Sequence, residues 1–155
     1  MPRKGAKDAA FVLAVAGAHG ALEGYEITPI VGLDQDGVAA CLRDSLVFLS
    51  LGSHEGCPLP PAEAMASGAI VVGYDGFGGA EYFLPELVFR VPTGDLVRFA
   101  QTLEHVLRLE EEQPAALRVR AAKAAKFIAE AYSPEREEEY LLTAWDNVIR
   151  SLAGS

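Results

Sequence analysis

Two carboxylates stand out as groups that could do chemistry. Glu55 and Glu63 are separated by seven residues in the run Gly52-Ser53-His54-Glu55-Gly56-Cys57-Pro58-Leu59-Pro60-Pro61-Ala62-Glu63-Ala64-Met65-Ala66-Ser67-Gly68. The run follows an apolar stretch that reads as a strand. It turns into a helix opened by Pro60-Pro61, since proline is tolerated in a first helical turn. Glu55 therefore belongs to a strand-to-helix loop, and Glu63 to the helix, in or near its first turn. Both are expected to face one crevice at a helix N-terminus, where free N–H groups attract anions. A carboxylate accepts from two hydroxyls at once, which is a way to hold a vicinal diol. The combination suits a ligand with phosphate in the middle and a sugar at each end. The plainer reading of either residue is a surface glutamate matched to the helix dipole.

The elements that must position these residues alternate along the chain. Residues 6–19 predict a helix with Ala9, Phe11, Val12, Val15 and Ala16 mostly on one face. Four strands are expected: Ile27 to Val31, Leu46 to Leu51, Ala69 to Tyr74 and Leu87 to Val91. Asp36 to Arg43 reads as a short helix with Val38, Ala39 and Leu42 inward. The continuous apolar run at Leu46–Leu51 is the pattern of a parallel sheet buried on both faces. After Pro92 only helices remain. Their apolar stripes are Leu96, Phe99, Leu103 and Val106, then Leu117, Ala121, Ala124 and Ile128, then Leu141, Trp145, Val148 and Leu152. Ser133-Pro134 caps and opens the last of them. The order predicts one α/β domain over residues 1–155, a Rossmann-like parallel sheet with flanking helices and a helical tail from about residue 95. Such sheets bind ligands beyond the carboxyl ends of their strands.

Composition narrows the partners. Of 155 residues, half are apolar and 23% charged, a globular composition. Lys and Arg total 13 against 22 Asp and Glu, a formal charge of -9, which argues against nucleic acid or an anionic membrane surface. No window reads as a membrane span, and Met1-Pro2-Arg3-Lys4 does not open a signal peptide. Two cysteines, Cys41 and Cys57, are too few for a disulfide framework or a zinc site, and reduced thiols suit a cytoplasmic protein.

The block Glu55-Gly56 to Glu63-Ala64-Met65-Ala66-Ser67-Gly68, followed by Ile70-Val71-Val72, closely resembles the signature of the GT-B glycosyltransferases. Within that fold it resembles family 4, the glycosyl transferases group 1, in the C-terminal donor-binding domain. Gly78-Gly79-Ala80-Glu81 resembles that family's Gly-Gly-x-x-Glu turn, and Lys4-Gly5 its basic diphosphate loop. The likeness runs from the N-terminus to roughly residue 110. It implies retaining transfer of a sugar from a nucleoside diphosphate sugar, with no metal and no other cofactor. Asp34-Gln35-Asp36 has the spacing of a metal motif but reads as a helix start.

Carried over residue by residue, the resemblance gives Glu63 the ribose hydroxyls and Glu55 the hydroxyls of the donor sugar. Lys4, with Arg3, would neutralise the departing diphosphate. Backbone N–H groups around Gly56 and Leu59 would bind sugar or phosphate, and Val31 and Gly32 would pass the base. Cys57 and Pro58 replace an aromatic and a glycine common in the family, and Pro58 offers no N–H. The strand expected before the basic loop is missing, because the chain starts at Met1. The acceptor, a saccharide or another molecule, is expected on an N-terminal domain outside this chain, and the chain alone is expected to be inactive. A non-catalytic nucleotide-sugar module, or a subunit completed by a separate acceptor-binding chain, is the alternative. Self-pairing as a homodimer is expected from the apolar tail.

The other candidates have plainer roles. Ser53-His54-Glu55 contains triad residue types, yet neighbours on one strand end are not expected to converge. His54 lines the cleft or is solvated, and His19 and His105 are expected on the surface. Cys57 near a helix N-terminus reads as an ordinary thiol before a reactive one. Gly76-Phe77-Gly78-Gly79 lacks dinucleotide-fingerprint spacing. Trp145 is expected in the core, with an interface as the second reading.

Overall fold

The computed structural model describes residues 5–153. Its helices are α1 (Ala6–Ala18), α2 (Gln35–Asp44), α3 (Leu59–Ala66), α4 (Leu96–Glu112), α5 (Pro114–Ala131) and α6 (Pro134–Ala153). The strands β1 (Val47–Ser50), β2 (Ile70–Gly73) and β3 (Phe89–Arg90) form one parallel sheet in the order β1-β2-β3. Val47 pairs with Ile70 and Ser50 with Gly73, and Val72 pairs with Phe89.

The alternation of side chains along β2 divides the core. Ile70 and Val72 turn toward α1 and α4, where they pack with Val12, Ala16, Phe99, Leu103 and Val106. Val71 turns the other way, toward Leu42 of α2, Met65 of α3 and Ala124 and Ile128 of α5. Each of the larger side chains removed from water contributes about 1.5–3 kcal/mol. The result is the Rossmann-like α/β layering that the sequence predicts, with helices on both faces of the sheet and a helical tail.

Four expectations are corrected. Ile27–Val31 forms no strand; Ile27 and Val31 are exposed, and only Ile30 packs half-buried against the core. Pro29 explains this, since a proline in mid-run cannot donate to a ladder. β1 is half-buried, because among the described residues it has a hydrogen-bonded neighbour on one side only. Within α1, Val12 and Ala16 are buried, whereas Phe11 faces solvent. The stripe of α6 forms as a helix but not as core: Leu141, Val148 and Leu152 are exposed, and Trp145 is 64% exposed. α6 leaves the body after Tyr132, so its apolar face is not laid on the sheet.

Candidate functional site

β1 and β2 run parallel, so the chain leaves both at the same edge of the sheet. The loops that follow are locked together. The Glu55 N–H donates to the Gly76 carbonyl (2.9 Å) and the Glu55 carbonyl accepts from the Gly78 N–H (3.1 Å). Glu55 and Phe77 thereby form an isolated parallel bridge, one further rung beyond the sheet. Only glycine fits beside it: a Cβ on Gly78 would stand 2.0 Å from the Gly56 carbonyl oxygen. The Glu55 side chain lies back over Gly52, where an added Cβ would stand 3.0 Å from Oε1.

Asp75, the second residue after β2, is buried. Its Oδ2 lies 2.5 Å from Nη2 of Arg90 on β3, a contact of charges without the direction of a hydrogen bond. Its Oδ1 accepts the Phe77 N–H at 3.1 Å. Phe77 sits in the left-handed region with φ 68°, and the residue is 64% exposed. Its ring stands 5.3 Å from the His54 imidazole, tilted by 43°.

α3 begins behind Pro58, whose carbonyl accepts the hydroxyl of Tyr82. Burial pushes the Tyr82 phenol well above its ordinary range, which keeps it protonated as a donor. The helix end is poorer in donors than expected, because Pro60 and Pro61 follow Leu59 and carry no N–H. Glu63 is the fifth residue of α3 and exposed, one place beyond the first turn.

The structure brings Glu55 and Gly56 together with Gly76 to Gly79. Leu59 is exposed at the start of α3. Lys4 and Arg3 lie outside the described residues. Gly5, next to them, is left-handed (φ 76°), and a Cβ there would stand 2.5 Å from Leu51 Cβ. The start of α1 thus presses on the end of β1, just before the Glu55 loop. Val31 and Gly32 are exposed in irregular chain ahead of α2, not at a strand end. In the Gly78-Gly79 turn a single residue, Ala80, precedes Glu81, whose Oε1 accepts the Tyr132 hydroxyl at 2.7 Å.

Ser53 and His54 do meet, contrary to expectation, with Oγ and Nδ1 3.2 Å apart. The contact is exposed, and the Glu55 carboxylate is turned toward Gly52. His19 and His105 are on the surface as expected; His19 Nδ1 lies 2.8 Å from Glu104 Oε1. Cys41 and Cys57 are unpaired. Among the described residues no three His, Cys, Asp or Glu side chains gather as a metal site. Asp75, Phe77 and Arg90 were not anticipated. The signal was there in part, as an aromatic between two glycines directly after a strand.

The family model of the glycosyl transferases group 1 matches residues 19–126. That stretch holds the whole sheet and both interlocked loops. The chain belongs to the group 1 glycosyltransferases. No curated protein and no solved structure matches it. As a group 1 glycosyltransferase of GT-B type it serves glycosyl transfer, a reaction that needs a sugar donor and an acceptor. The match leaves out Arg3 and Lys4 at one end and α6 at the other. No helix among the described residues is long and apolar enough to cross a membrane.

Proposed function

We propose that this group 1 glycosyltransferase chain is a family 4, C-terminal donor-binding domain. It would bind a nucleoside diphosphate sugar for retaining transfer. The observation that carries the reading is the Glu55 rung, a carboxylate-bearing loop tied to the next loop at the carboxyl ends of two parallel strands. That is where open α/β sheets take their ligands. Glu55 receives the hydroxyls of the donor sugar and Glu63 those of the ribose. Leu59, the one residue of the first three in α3 with an N–H, and Gly56 add backbone donors. Lys4 and Arg3, next in chain to the Gly5–Leu51 contact, offset the charge of the departing diphosphate. Val31 and Gly32 border the base. No metal takes part.

Residues 1–155 act as one domain, and the acceptor is held by a separate N-terminal domain. Without that facing wall the chain binds donor but does not transfer it, since positioning contributes on the order of 7–11 kcal/mol to such barriers. The exposed apolar face of α6 favours a second form of this reading, a subunit completed by another chain or paired with its own copy. Its two unpaired thiols suit a protein of the reducing cytoplasm.

The test is a thermal-shift screen with nucleoside diphosphates and their sugars, since a ligand bound only by the folded state raises the melting temperature. A rise with at least one nucleotide sugar is expected. No response from any of them would remove the donor-binding assignment. Efficient transfer by the chain alone would remove the division of labour.

A further inference from the structure

Phe77 sits where folding alone would not put a phenylalanine. Its ring is largely in water and its backbone is left-handed, with φ 68°. A bulky non-glycine residue in that region is strained, and such strain persists only where the surroundings enforce it. Glycine would relieve both costs, and glycines occupy the positions on either side. The surroundings do enforce it. Asp75 Oδ1 takes the Phe77 N–H, and the Glu55 backbone bonds to Gly76 and Gly78 on either side of Phe77. The ring then rests beside His54.

Resting on the donor-binding reading, we propose that Phe77, backed by His54, is the stacking shelf for the apolar C–H face of the donor's hexose ring. A pyranose carries hydroxyls around its edge and C–H bonds on its faces. It therefore needs a hydrogen-bonding group and an apolar plane side by side. The Glu55–Phe77 bridge supplies one from each loop on a single rung. The Phe77 and His54 rings are tilted by 43° and not stacked flat, and Phe77 is largely exposed, which leaves ring surface open to a ligand. In the donor-binding reading the base borders Val31 and Gly32 and the sugar meets Glu55, so the ring bridged to Glu55 takes the sugar as its occupant. Phe77 is a specificity residue in this account, and Asp75 and Arg90 are positioning residues that hold it.

The experiment uses the full chain and the variants Phe77→Gly, Phe77→Asn and Phe77→Trp. Melting temperatures are measured, and affinities by calorimetry for uridine diphosphate glucose and guanosine diphosphate mannose against the bare diphosphates. Glycine and asparagine tolerate the left-handed backbone, so neither variant should melt below the parent. Their affinity for the better nucleotide sugar should fall about two- to tenfold, the range of an aromatic contact. Affinity for the bare diphosphate should not change, and Phe77→Trp should retain the binding of the sugar form. An unchanged affinity, a fall shared equally by the bare diphosphate, or loss of the fold in Phe77→Gly would each overturn the shelf while leaving donor binding in place. A parent chain that binds neither nucleotide sugars nor diphosphates would overturn the donor reading and the shelf together.

Discussion

The carboxylate of Asp75 fixes the backbone of Phe77. One oxygen accepts the Phe77 N–H at 3.1 Å while the other meets the Arg90 guanidinium at 2.5 Å. A buried acid at the end of the central strand thereby couples the end of β3 to the loop that pairs with Glu55. Asp75→Ala should lower stability by about 1–3 kcal/mol, the cost of unpairing such groups. Asp75→Asn, which keeps the acceptor for the Phe77 amide, should lose less. Urea denaturation with both variants unfolding at the parent midpoint would show the coupling to be idle.

Glu63 is exposed, so its removal should leave the fold intact. Titration calorimetry of Glu63→Ala is expected to show nucleoside diphosphate binding weakened by about 1–3 kcal/mol. Equal affinity in variant and parent would withdraw the ribose assignment.

Gly78→Ala is a far harsher change than its size suggests. The new methyl would stand 2.0 Å from the Gly56 carbonyl oxygen, a backbone atom that cannot swing aside. A loss of at least about 2 kcal/mol is expected in chemical denaturation. An unchanged midpoint would mean that the two loops are free to separate.

Four phenols are raised, those of Tyr25, Tyr74, Tyr82 and Tyr132, and the last two most strongly. Burial raises the Tyr82 phenol above its ordinary range, and burial together with the hydrogen bond to Glu81 raises that of Tyr132. A group whose folded pKa is raised contributes stability that is complete below the unfolded value and is lost as pH rises toward the folded one. The melting temperature should therefore fall from about pH 10 upward as the tyrosines ionise. The double variant Tyr82→Phe with Tyr132→Phe should show a shallower decline. An equal decline in the parent and the double variant would assign it to other groups.

α6 should be dispensable for the body and responsible for association. None of its described side chains is buried, so a chain ending at Tyr132 should melt within a few degrees of the parent. Light scattering of the parent should show self-association that Trp145→Glu abolishes, since the ring is one of the largest exposed apolar groups. A parent that stays monomeric at high concentration would count against pairing through this helix.

Much of the layering was legible because the buried strands are apolar throughout. Ala69–Tyr74 reads as a buried strand, and β2 is buried at every residue. The stripes of α4 and α5 named the helical core for the same reason. Ile27–Val31 misled because β-branched residues signalled a strand while Pro29 forbade its ladder. Trp145 misled because an amphipathic stripe states that a face wants cover, not that cover lies in the same chain. At the site, residue types exposed Glu55 and Glu63. The Asp75–Phe77–Arg90 arrangement depends on contacts between residues on different strands, and no local pattern carries them.

The bond between Tyr132 and Glu81 gives the last helix a mechanical meaning. Tyr132 closes α5, and α6 begins two residues later. At 1.5 Å per residue those 20 residues make a rod about 30 Å long. Its fulcrum is the turn that continues directly from Phe77 and the paired glycines. Anything that grips the far end of the rod acts with leverage on that turn, through the phenol on the Glu81 carboxylate and the edge of the Tyr132 ring against Tyr82.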